Sequence, residues 1–136
     1  MTRTSLTTNQ ALIKFGELER TIAAERGDFT LFALVRPEEG LQDQWDLVVA
    51  APWEPDTVTL RKYLVDQIQQ RLGVEMFFVV SGIVPVPADH PLTQALLSEY
   101  PVEHGRIRVE DDTFLGLPIT KAYIITARSA RPAVAA

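Results

Sequence analysis

Apolar side chains recur at Ala11, Leu12, Phe15, Leu18 and Ile22, the three- and four-residue spacing of one helical face. This predicts a first helix from Asn9 to Arg26, capped at its start by Thr8 or Asn9. Gly27 stands where a glycine ends a helix, with Arg26 at the negative end of the dipole. Leu60, Leu64, Ile68 and Leu72 repeat every four residues, and Val65 widens the stripe. They predict a second helix from Asp56 or Thr57 to Gly73, with Asp56 as its cap. A third, short helix is expected from Pro91 to Tyr100, with Leu92, Ala95, Leu96 and Tyr100 as its stripe. Proline suits the first helical position, and Pro101 stops the helix.

Between the helices the pattern changes. Phe29 to Val35 and Leu47 to Ala51 are almost continuously apolar, as strands covered on both faces are. The polar stretch from Arg36 to Gln44 reads as the loop of a hairpin joining them. Val74 to Val84, with Met76 to Val80 as the most apolar segment of the chain, predicts a third strand at the centre of the sheet. Strand, helix and strand in this order make a right-handed crossover between parallel strands. Val84 to Pro87 lacks two amides and reads as an extended exit. Arg106 to Glu110 alternates cleanly, Ile107 and Val109 inward, Arg106, Arg108 and Glu110 to water. Ala122 to Ala127 is the last strand. Asp111 and Asp112 are expected to begin the turn before it, and Gly116 and Pro118 to interrupt pairing.

The expected fold is α+β (mixed α/β), a single domain with a mixed sheet of about five strands and three helices, in the order α-β-β-α-β-α-β-β. Strands buried on both faces call for helices on both faces, which gives three layers, or two layers if all the helices fall on one side. The domain is expected over residues 1–128, with 129–136, small and aperiodic, as a flexible C-terminal tail.

Composition narrows the classes of function. The 136 residues are 46% apolar and 23% charged, ordinary usage for one globular domain. No apolar run has the roughly 18 residues of a membrane helix, and residues 1–6 lack the apolar core of a secretory signal. The expected compartment is therefore the cytoplasm, with no membrane partner. The absence of cysteine excludes disulfides, thiolate catalysis and thiolate metal sites. A net charge of −5 argues against a general phosphate-binding surface, so nucleic acid is not the expected partner.

No motif fixes a chemistry. Gly-x-Ser-x-Gly, phosphate-cradling glycine loops and a strand Glu-x-Lys are all missing. His90 and His104 read as a helix-start residue and a loop residue, and with Glu99 and Glu103 they do not converge as a metal site would. Neither a metal nor a cofactor is expected. Arg106 and Arg108 share a strand face, in a region nearly balanced by acids.

One place invites a ligand. If the second and third strands are parallel, the ends carrying Trp53 and Ser81 lie together, and a pocket could form where open sheets bind. Trp53 would supply an indole wall, Ser81 a hydroxyl, and Asp46 the third member of the speculative site. Glu54 and Asp56 at the rim would favour a small neutral or weakly polar molecule over a phosphate. The plainer alternative has Trp53 closing the core as a lid. The function expected is a small, non-enzymatic interaction domain that self-associates, since Trp45, Trp53 and Tyr100 fall at element ends where aromatics anchor contacts. The alternatives are a small-molecule binder or enzyme at Trp53 and Ser81 and, more weakly, a nucleic-acid accessory protein using Arg106 and Arg108.

Overall fold

The structure, a computed structural model, describes residues 8–37, 45–87, 89–114 and 117–128. Its elements run α1 (Thr8–Arg26), β1 (Leu31–Pro37), β2 (Trp45–Ala50), α2 (Thr57–Arg71), a 3-10 helix (Val74–Phe78), β3 (Val80–Pro85), α3 (Pro91–Glu99), β4 (Ile107–Phe114) and β5 (Leu117–Ala127). The five strands form one mixed sheet in the order β3-β2-β1-β5-β4. β2 and β3 are parallel, and the other neighbours are antiparallel. The expected class and element order are those observed.

Local chemistry accounts for the helix boundaries. Asp56 caps α2, its Oδ1 accepting from the amides of Val58 at 3.0 Å and Thr59 at 3.4 Å. His90 caps α3 by accepting the Leu92 amide on Nδ1 at 3.1 Å, with Pro91 at the first helical position. Gly27 and Gly73 both have positive φ, which lets the chain turn off α1 and α2.

The strands alternate their side chains between two cores. Phe32 and Leu34 of β1, Leu47 and Val49 of β2 and Ile125 of β5 pack under α1 and α2 through Phe15, Ile22, Leu60, Leu64 and Ile68. Leu31 and Ala33, Val48 and Ala50, and Ala122 and Ile124 face the other way, against Leu96 of α3. The sheet is therefore the middle of three layers. Each large side chain fully buried in these cores contributes roughly 1.5–3 kcal/mol. Among the described residues no helix is long and apolar enough to cross a membrane.

Two expectations are corrected. The run from Val74 is not one central strand: Val74–Phe78 is a 3-10 helix, and β3 lies at the sheet edge. A short apolar run does not distinguish strand from helix by periodicity. Here the turn buries Met76 and leaves Val74 and Glu75 exposed. The edge position also suits Pro85, which cannot donate to a second neighbour. The final hairpin is longer than expected. Asp111 and Asp112 belong to β4, and Pro118 pairs with Thr113 inside the ladder. Proline is tolerated at the head of a strand, where its missing amide breaks little of the ladder. Gly116, the polar loop after Pro37 up to Gln44, and the tail 129–136 lie outside the described residues.

Candidate functional site

The sequence-derived trio divides between opposite ends of the sheet. Asp46 is the second residue of β2 and stands in register with Gly82. A Cβ on Gly82 would come within 2.8 Å of Asp46 Oδ1, so glycine leaves room for that carboxylate. Ser81, exposed, is the extra residue where the β2–β3 register shifts between Trp45 and Asp46. Burial without a compensating charge pushes the Asp46 carboxyl above its ordinary value. Trp53 follows the far end of β2. The separation arises because the 3-10 helix consumes Val74–Phe78, which makes Ser81 the second residue of its strand rather than the last.

Around Trp53 the side chains are interlocked. Its ring meets Phe29 edge-on at 5.5 Å and Tyr63 edge-on at 5.8 Å. The Arg26 guanidinium lies 4.9 Å from the Trp53 ring centre and 4.7 Å from that of Tyr63, a cation held on two aromatic faces. A Cβ on Gly27 would sit 3.0 Å from Trp53 Cδ1. Trp53 is half-buried by these contacts and serves chiefly to close the end of the α1/α2 core. A hollow of about 750 Å³, wide open to solvent, runs along α2 beside Val58, Lys62, Tyr63, Val65, Asp66 and Gln69. Among the described residues all its walls come from that one helix, and its charges are of both signs.

Among the described residues the most concentrated group of ionisable side chains lies elsewhere. Glu19 of α1 has 0% exposure. Its Oε2 accepts from the Thr126 hydroxyl at 2.8 Å, and its two oxygens stand 2.8 and 3.0 Å from His104 Nδ1. With a carboxylate accepting, the Nδ1 proton belongs to His104. The Thr126 hydroxyl in turn accepts the His104 backbone amide at 3.1 Å. His104 Nε2 faces Asp28 Oδ1 at 3.7 Å. Arg128 joins Asp28 at 2.8 Å and Glu103 at 3.2 Å.

Two backbone irregularities build this arrangement. β1 and β5 shift register between Phe32 and Ala33, with Phe32 opposite Thr126 and Ala33 opposite Ile124. The bulge makes Ile125 the extra residue, so Thr126 shares the face of Phe32 and reaches Glu19 under α1. Opposite it, the chain from Val102 to Gly105 is pinned to β5 by bonds between Val102 and Ala127 and from Gly105 to Ile125. His104 sits in that segment with φ +52°, a left-handed conformation costing a non-glycine residue roughly 1–2 kcal/mol. Its ring and amide bonds to Glu19 and Thr126 offset that cost.

A carboxylate on Nδ1 is also how a general-base histidine is oriented. Here the second nitrogen meets another carboxylate, not a hydroxyl or a thiol. The group thus works as a clasp, joining α1, the end of β5 and the segment that launches β4. Among the described residues no set of three or more His, Asp or Glu could hold a metal ion. Sequence reasoning took His104 for a loop residue and passed over Glu19. One signal was present: Glu19 lies four residues after Phe15 and three before Ile22, a charge inside the apolar stripe. No protein-family model, curated protein or solved structure matches this chain.

Proposed function

We propose that this chain is a small non-enzymatic interaction domain that self-associates through the open edge of its sheet at β4. The observation that carries this reading is the edge itself. β4 is eight residues long, contains neither proline nor glycine, and pairs with β5 on one side only in the described sheet. The row of amides and carbonyls that it leaves unpaired among the described residues is a template for another strand. The clasp supports the same reading, because it ties the segment leading into β4 to α1 and β5. A preorganised edge loses less conformational entropy on docking.

The alternative of a ligand or catalytic site at Trp53, Ser81 and Asp46 draws less support, since Trp53 and Ser81 occupy opposite ends of the sheet. The nucleic-acid alternative is weaker still, since Arg108 is already paired with Glu110. Amide exchange over residues 107–114, measured across a dilution series, tests the proposal. Self-association at β4 slows exchange of that strand at high concentration and leaves β3 unchanged. Exchange at β4 independent of concentration, in a chain that sediments as a monomer throughout, would overturn it.

A further inference from the structure

We infer that the partner at the β4 edge is a second copy of this chain, paired antiparallel about a two-fold axis at Val109. This rests on the reading of β4 as the self-association edge and goes further, because it specifies the symmetry and the register of the pairing.

The argument is one of parity and charge. Val109 is buried against the α3 core and Ile107 packs there too, whereas Arg108 and Glu110 are exposed on the opposite face. A two-fold axis perpendicular to the sheet keeps each face on its own side. Residues that meet across the new ladder must therefore belong to the same face. That restricts the register to steps of two. Centring the axis on Arg108 sets Arg108 against its own copy, and centring it on Glu110 sets Glu110 against its own copy. Both place like charges directly opposite, which destabilises a cross-strand pair. Centring on Val109 sets Arg108 opposite Glu110 of the second copy, and Glu110 opposite its Arg108. Within one chain these two side chains already form an ion pair. In the dimer each exchanges a same-strand partner for a cross-strand one, and the pattern Arg-Val-Glu becomes self-complementary.

Charges on an edge usually serve to keep copies apart. A single sign repeated along the strand would do that. Opposite signs on either side of a buried valine do the reverse when the axis passes through Val109, and the other edge offers no such pattern. β3 is six residues long and contains Gly82 and Pro85.

The test is a charge swap read by sedimentation equilibrium or light scattering on the full chain. The wild type should run at twice the 15.2 kDa of one chain. Arg108→Glu and Glu110→Arg, each alone, should weaken dimerisation roughly tenfold or more by opposing like charges. The double variant Arg108→Glu/Glu110→Arg should restore the dimer to within a few-fold of wild type. Thermal melts confirm that all three fold, as expected for exposed positions. A dimer indifferent to both single reversals, or one that the double variant fails to restore, overturns the Val109 register and leaves self-association standing. A wild-type monomer at every concentration overturns both.

Discussion

The two edges of the sheet are built differently. β3 runs for six residues, bulges at Ser81, carries Gly82 and Pro85, and is backed by α2 and the 3-10 helix. β4 runs for eight residues with an unbroken register to β5, and the segment before it is fastened by the Glu19, His104 and Thr126 clasp. Each edge begins beside a carboxylate, and the two carboxylates fare differently. Glu19 is fully enclosed and receives two side-chain donors. Asp46 is half-buried beside Gly82, and burial alone raises its pKa. An edge interrupted by a bulge and a proline offers a shorter and less regular row to a further strand. An edge that is continuous and anchored at its base is held in the conformation a second strand needs.

The strongest way to break this contrast is Glu19→Ala. It empties a buried site and leaves the Thr126 hydroxyl and His104 Nδ1 without their acceptor, at a cost of roughly 1–3 kcal/mol for each donor so stranded. Denaturant unfolding should show that loss, and amide exchange should accelerate over residues 102–110 more than over β3. Equal acceleration at both edges would mean that the clasp supports the core at large and not β4 in particular. Thr126→Val keeps the volume and removes the hydroxyl that links Glu19 to the His104 amide. It should cost about 1–3 kcal/mol by the same measurement.

Changes at the β3 edge should be smaller. Gly82→Ala relieves the entropic cost of a strand glycine, roughly 0.5–1 kcal/mol, but presses its Cβ on the movable Asp46 carboxylate. The net change in stability should lie within about 1 kcal/mol of zero, with β4 exchange unaltered. Asp46→Asn should raise the melting temperature slightly at neutral pH. Because the folded pKa of Asp46 is raised, the folded state holds the proton more tightly than the unfolded chain does. The wild type therefore loses stability as pH climbs from below the ordinary value of 3.8 through the folded pKa, and the variant does not. Matching melting temperatures for the two proteins at neutral pH would remove the role given to burial at Asp46.

Much of the fold was legible in the residues. The apolar stripes of α1 and α2, the Asp56 cap, Pro91 at the head of α3 and the parallel crossover from β2 to β3 all follow from short-range chemistry. Periodicity and capping act within a few residues, so they survive in the sequence whatever surrounds them. The speculative site fared differently. Asp46 and the Ser81–Gly82 step do meet, but Trp53 does not join them, because the placement of Ser81 depended on whether Val74–Phe78 was strand or 3-10 helix.

By itself, then, the sequence determined three amphipathic helices, a mixed set of strands and their order along the chain, since each rests on local patterns of apolar spacing and turn chemistry. Tertiary structure alone decided which strands became edges, that a bulge at Ile125 turns Thr126 towards α1, and that Glu19 meets partners 85 and 107 residues away. Those contacts depend on how the layers stack, and a residue's neighbours across a sheet leave no periodic trace in its own segment of chain.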